Sequence, residues 1–198
     1  MLLKEATDIA MQVWGKLKPF CEIAKIAGSI RREKPEVKDI EIVCLPKVEP
    51  LLDMFQDKIG ETRVAGFVQA VRDLGEVVKG KTDGKYMQIK LPQGVNLDLF
   101  MPDDFDFFRQ YAIRTGSADW TAKYIAGGWK NKGWCGSDAG LRLQSECVSK
   151  TSETDGKKSW KCVVPKDKQT LPPRWGSEME FFVWLGIKWV EPKFRNVS

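Results

Sequence analysis

Asp39 and Glu41 stand two residues apart in Asp39-Ile40-Glu41-Ile42-Val43, a β-branched run that reads as a strand. Side chains at i and i+2 of a strand leave the same face, so the two carboxylates converge. Converging acids repel unless a cation lies between them. Hard divalent cations such as magnesium take carboxylate oxygens and share their remaining positions with phosphates. Just upstream lies Ile26-Ala27-Gly28-Ser29-Ile30-Arg31-Arg32. A Gly-Ser turn offers backbone N–H groups and a hydroxyl to an anion, and an arginine adds a bidentate clamp. Together the residues predict a place to hold a metal-bound triphosphate.

The rest of the composition narrows the chemistry. The chain has no histidine, which excludes Ser-His-Asp and Cys-His mechanisms, histidine general bases and histidine zinc sites. Its five cysteines, Cys21, Cys44, Cys135, Cys147 and Cys162, are odd in number and widely spaced. Cys44 sits in an apolar strand, where a buried free thiol is expected. A three-cysteine site from Cys135, Cys147 and Cys162, or a Cys147–Cys162 bridge across a hairpin, is a minor alternative. The net charge of +5 is a mild bias towards polyanions. At 198 residues the chain can bury a core as one domain or two packed lobes. It contains no apolar run near the ~20 residues of a membrane span. The charged amphipathic start is unlike a signal peptide, so a cytoplasmic, nucleoid-associated or viral setting is expected.

Elements to position the acids can be read along the chain. Leu3, Ala6, Ile9, Ala10, Val13 and Leu17 have helical spacing, and Pro19 ends that helix. Strands are expected at 22–27 and 39–45. Pro50 at a first helical position predicts a helix over 50–59, followed by another over 61–74 that stops at Gly75. Strand-like runs follow at 76–79, 85–91 and 95–101. Pro92-Gln93-Gly94 joins the last two as an antiparallel hairpin, bringing Asp98 into the sheet of Asp39 and Glu41. Pro102-Asp103-Asp104 marks a lobe boundary, giving domains 1–103 and 104–198. Helices are expected at 104–112 and 117–129, the latter capped by Ser117. Residues 141–165 read as one hairpin with a Gly156-Lys157-Lys158 tip. Ser177-Glu178-Met179-Glu180 is a capping box opening a helix that Gly186 closes.

The ordered set of motifs resembles the nucleotidyltransferase signature of family X DNA polymerases. Gly28-Ser29 with Arg31-Arg32, then Asp39-x-Glu41, a third acid at Asp98 within Asn96-Leu97-Asp98-Leu99-Phe100, and Thr115-Gly116-Ser117 follow the family's order. The segment from Ser177 through Trp184-Leu185-Gly186 to Glu191-Pro192-Lys193-Phe194-Arg195 is similar to its C-terminal helix and tail. The resemblance covers roughly residues 22–198. It implies an α+β fold, with a nucleotidyltransferase-type palm built on a mixed sheet flanked by helices, and a smaller α+β C-terminal nucleotide-selecting subdomain.

What the resemblance implies for function is two-metal nucleotidyl transfer. Asp39 and Glu41 would coordinate two magnesium ions, for which manganese could substitute, and Asp98 the one beside the attacking 3′-hydroxyl. Gly28, Ser29 and Arg32 would meet the phosphates, with Lys38 adding charge. Arg31 is either a ligand contact or a surface charge pairing with Glu33 or Glu36. Thr115, Gly116 and Ser117 would face the sugar. Arg114 departs from the pattern, which has an aromatic there; it either contacts the nucleotide or reaches solvent. Asn96 likewise replaces an arginine of the family. Lys85, Tyr86 and Lys123 would lie along nucleic acid. The implied partners are a dNTP and primer-template or gapped DNA, with the protein a monomer. The expected activity is template-directed DNA polymerisation in gap filling or repair. A nucleotidyltransferase with an RNA, protein or small-molecule acceptor, and an inactive nucleotide- or DNA-binding module, remain as alternatives. Only about 20 residues precede the first strand, so no lyase domain is expected at that end.

Overall fold

The computed structural model describes residues 1–152, 156 and 158–196. The protein is α+β, with a mixed sheet flanked by helices. It divides into two compact units, Met1–Ser117 with Val190–Asn196, and Ala118–Trp189.

In the first unit, α1 (Leu3–Leu17) buries the apolar stripe Ala6, Ile9, Ala10, Val13 and Leu17. Trp14 donates its indole N–H to the Ala24 carbonyl at 2.8 Å, fastening the helix to β1 (Cys21–Ile26). After the short α2 (Gly28–Arg31) come β2 (Asp39–Pro46), β3 (Val48–Leu52) and β4 (Lys58–Arg63). Next are α3 (Ala65–Arg72), β5 (Glu76–Gly80), β6 (Tyr86–Lys90), β7 (Asn96–Phe100) and α4 (Phe107–Thr115). The main sheet has the order β1-β2-β7-β6-β5. Only the β2–β7 pairing is parallel among its neighbours.

Strand alternation gives this sheet two unlike faces. Ile40, Ile42 and Cys44 of β2, Leu97 and Leu99 of β7, and Met87 and Ile89 of β6 point to one side, where α1 and α3 cover them. Full burial of each such aliphatic side chain is worth roughly 1.5–3 kcal/mol, so this face drives folding. The opposite face carries three rows set by the strand registers: Val43, Phe100 and Tyr86; Glu41, Asp98 and Gln88; Asp39, Asn96 and Lys90. The apolar first row receives Phe107 and Tyr111 of α4. The polar rows do not take part in that apolar cluster.

That packing moves the expected boundary. Residues 104–117 belong with the first unit, because Phe107 and Tyr111 of α4 complete the small core with Ala27, Val43 and Phe100. The expected helix at 50–59 is instead the hairpin β3–β4. Its turn is built on the Asp53 carboxylate, whose Oδ1 accepts the N–H groups of Phe55 (2.8 Å) and Asp57 (2.9 Å), and Gln56 takes a φ of 70°. An Asx turn of this kind captures the backbone before a helix can form, and Pro50 is tolerated in a two-stranded ribbon with open edges. The following helix accordingly begins at Ala65 rather than 61.

In the second unit, α5 (Ala118–Trp120) runs through a π-helical stretch, Thr121–Ala126, into α6 (Gly127–Asn131). The expected single hairpin over 141–165 is two ribbons: β8 (Trp134–Ser137) with β9 (Gly140–Leu143), and β10 (Cys147–Thr151) with β11 (Lys158–Cys162). Lys157 of the expected tip lies outside the described residues. Register sets Cys147 opposite Cys162, both as free thiols, and Cys135 is close enough to hydrogen bond with Cys147. Burial and the neighbouring thiols push Cys147 up to about 12. The capping box forms as read: the Ser177 hydroxyl accepts the Glu180 N–H at 3.1 Å at the start of α7 (Glu178–Leu185). Gly186, at φ 78°, closes it. Among the described residues no helix is long and apolar enough to cross a membrane.

Candidate functional site

The parallel pairing of β2 with β7 sets Glu41 beside Asp98, and Asp39 lies one row away on the same face. Neighbouring strands run about 4.8 Å apart, so the three carboxylates share one small area of sheet. From β6, Tyr86 donates its hydroxyl to Asp98 Oδ1 at 2.7 Å and Gln88 its amide at 3.0 Å. Among the described residues Asp98 Oδ2 accepts no hydrogen bond. One oxygen of Asp98 is therefore anchored and the other left for a ligand.

α2 begins at the end of β1 and carries the Gly-Ser turn to the acids. Gly28 has φ 64°, and a Cβ there would overlap the Glu41 carboxylate. Glycine is required on both counts: a side chain is strained at that φ, and the glutamate occupies its space. Ser29 Oγ, Arg32 Nε and Arg114 Nε are buried polar atoms that find no hydrogen-bond partner among the described residues. Such atoms cost free energy unless something pairs with them. Arg32 and Arg114 act on Glu41 electrostatically, and Ser29 follows Gly28, which abuts the Glu41 carboxylate.

The electrostatics are those of a crowded anionic pocket. Burial pushes the Glu41 carboxyl up to about 7, with Asp39 and Asp98 adding to the effect and Arg114 and Arg32 opposing it. Burial and Asp98 also raise Asp39. Burial lowers the Arg32 and Arg114 guanidiniums from their ordinary values, against the pull of the acids. Burial and the bond to Asp98 push the Tyr86 hydroxyl up to about 12. A divalent cation at these carboxylates would reverse the acid shifts.

The remaining expected site residues fall into distinct places. Arg32 Nη1 donates to the Thr115 carbonyl at 2.7 Å, and Arg31 Nη1 to the Thr115 hydroxyl at 2.6 Å. That hydroxyl in turn donates to the Tyr111 carbonyl at 2.7 Å. The Thr115 side chain thus belongs to the scaffold, and Arg31 stacks its guanidinium 3.8 Å from the Tyr111 ring centre. Gly116 follows the last turn of α4, and the Ser117 N–H donates to the Arg195 carbonyl at 2.9 Å. Arg114 lies over Phe100, 4.0 Å from its ring centre, within the field of Glu41 and Asp98. Lys38 is exposed beside Asp39. Lys85 is paired with Asp103 at 2.6 Å, both well exposed. Lys123 belongs to the second unit and is exposed next to Tyr124.

Gln88 was not expected in the site. The Pro92-Gln93-Gly94 turn carries the signal, since it fixes the β6–β7 register and puts residue 88 opposite Asp98. Among the described residues no group of three or more histidine, cysteine, aspartate or glutamate side chains is gathered as a metal shell. The donor set nonetheless suits magnesium: clustered carboxylate oxygens, with unpaired donors beside them for a phosphate. No protein-family model matches the chain, and no curated protein matches it in sequence.

Proposed function

We propose that the protein is a nucleotidyltransferase working as a template-directed DNA polymerase of the family X kind, joining a dNTP to a primer 3′-hydroxyl. The bond from the 3′-oxygen to the α-phosphorus forms as the bond from that phosphorus to the bridging oxygen breaks, and pyrophosphate leaves. One observation carries the reading: three carboxylates share a sheet face, and Ser29 Oγ, Arg32 Nε and Arg114 Nε are buried donors that find no partner among the described residues. Negative groups that need a cation and positive groups that need an anion in one small site suit a metal–triphosphate.

Asp39 and Glu41 would hold two magnesium ions, with Asp98 reaching one through its free oxygen. Held there, magnesium would supply charge neutralisation for the triphosphate and a lowered pKa for the primer hydroxyl. Asp98, fixed by Tyr86 and Gln88, is oriented to receive the hydroxyl proton. Ser29 and Arg32 bind the β and γ phosphates and offset the charge that builds on the departing pyrophosphate. Gly28 keeps the backbone close enough for this without displacing Glu41. Gap filling in DNA repair is the process this chemistry serves.

A second reading keeps the donor site and changes the acceptor. It is favoured by Arg114, which stands where the resembled polymerases carry an aromatic and adds a cation beside the acids. Incubation with magnesium, the four dNTPs and a one-nucleotide-gapped primer-template tests both. Templated extension that Asp98→Asn abolishes, while triphosphate binding persists, is the expected result. No extension of DNA, with transfer to RNA or protein instead, would reject the polymerase reading.

A further inference from the structure

The second unit contains a cavity of about 430 Å³, within the ~300–1,000 Å³ range of small-ligand sites. Trp129, Trp134 and Trp160 line it with Lys130, Lys158 and Gln144. Among the described residues no acidic residue lines it. We infer that this cavity binds an unpaired nucleobase of a single nucleic-acid strand, with Lys130 and Lys158 on the flanking phosphates. The inference goes beyond the transfer chemistry, because the cavity uses none of the residues of the acidic site.

Four observations converge on it. Indoles offer flat apolar faces on which any base stacks, and lysines beside them supply charge for a phosphodiester. Lys158 lies over the Trp160 ring, 4.9 Å from its centre, which puts a cation against that indole. Trp134 is held edge-on to Trp184 with ring centres 5.9 Å apart, so its ring is already oriented before any ligand arrives. Gln144 donates its amide N–H to the Trp134 carbonyl at 3.0 Å, and among the described residues its side-chain oxygen accepts no hydrogen bond. That oxygen suits the exocyclic amino group of a cytosine or adenine.

The π-helical stretch adds Ala122 and Ala126 to the lining, whose side chains are single methyl groups. A π-turn costs hydrogen-bond geometry and is common at functional sites. Here the small side chains leave space for a planar group against the indoles. Charge complementarity points to the ligand class: the two lysines of the described lining favour a polyanion, and the indoles favour one that carries aromatic bases.

Fluorescence anisotropy of a 5′-labelled (dC)12 strand, without metal or dNTP, tests the inference apart from any polymerase activity. Trp160→Ala is expected to weaken binding roughly tenfold, and Trp160→Phe to stay within about threefold of wild type. A 12-residue abasic strand of equal charge should bind wild type roughly tenfold more weakly than (dC)12, with Trp160→Ala making no further difference. Gln144→Ala should lower affinity for (dC)12 but not for (dT)12, which has no exocyclic amine. Equal binding of (dC)12 and the abasic strand would overturn the inference, and so would no binding of (dC)12 at all. Wild-type affinity in a Trp160→Ala protein that melts normally would also overturn it. Should Trp160→Ala fail to fold, the abasic strand and Gln144→Ala still decide. Loss of primer extension with these results intact would reject only the transfer reading.

Discussion

The Arg32 guanidinium donates to the Thr115 carbonyl at 2.7 Å across 83 positions of sequence, tying the turn after β1 to the end of α4. The same guanidinium keeps a buried Nε that finds no partner among the described residues. One side chain therefore closes the scaffold and offers a donor to the site. Hydrogen bonds to charged groups contribute about 1.5–3 kcal/mol, so Arg32→Ala is predicted to weaken magnesium–dNTP binding about ten- to a hundredfold. Arg32→Lys keeps the charge but loses the fork, and is predicted to recover only part of the affinity. Titration with a fluorescent dNTP reads both variants, and wild-type affinity in Arg32→Ala would remove it from the phosphate site.

Gly28 and Glu41 share one small volume. Gly28→Ala is predicted to lower unfolding stability by about 2–4 kcal/mol, through overlap and the positive φ together. Glu41→Ala empties the space, so the double variant should lose less than the sum of the singles. Urea unfolding of the four proteins measures the coupling. Strict additivity would mean that the overlap relaxes elsewhere.

Glu41 makes metal-free stability depend on pH in an unusual direction. Its carboxyl is held up to about 7 when folded, against 4.5 for the unconstrained group. Between these values the folded chain keeps a proton that the unfolded chain has released, so stability falls as pH rises from about 4.5 to 7. At about 1.4 kcal/mol per pKa unit the loss is at most roughly 3.5 kcal/mol. Melting in EDTA at pH 5, 6, 7 and 8 should show the decline. Magnesium should raise the melting temperature more at pH 8 than at pH 5, and Glu41→Gln should flatten the decline.

Tyr86 and Gln88 hold the same oxygen of Asp98. Tyr86→Phe removes one hydrogen bond to that carboxylate oxygen and is predicted to lower kcat about tenfold with little change in KM for dNTP. Tyr86→Phe with Gln88→Ala frees the carboxylate and should cost more than the two singles combined. A rise in KM with kcat unchanged would make Tyr86 a binding group rather than one that orients Asp98.

How far the site could be read without coordinates depends on how local its causes are. Asp39, Glu41 and Asp98 were readable because strand alternation and a two-element register place them, and both follow from short patterns. Ser177 and Gly186 were readable for the same reason, as caps act within one turn. The 50–59 segment misled because Pro50 suits a helix start and an open strand edge alike, and the Asp53 side chain settled it through hydrogen bonds to Phe55 and Asp57. Thr115 looked like a ligand contact, yet partners far along the chain, Arg31 and Arg32, claim its hydroxyl and carbonyl. Residues 104–117 looked like the start of a second lobe because the apolar face of α4 has no local sign of which core it joins.

The return of Val190–Asn196 to the first unit has a topological consequence. Arg195 is fully buried, and its carbonyl takes the Ser117 N–H at 2.9 Å, beside the point where the chain departs. Residues 118–189 are thus an excursion that leaves and re-enters at one doorway, spliced into a host whose own final stitch comes after it. Such a cassette can be exchanged or cut out with a short bridge from 117 to 190, leaving the acidic face intact. Losing the returning segment Val190–Asn196, by contrast, would unpick the host.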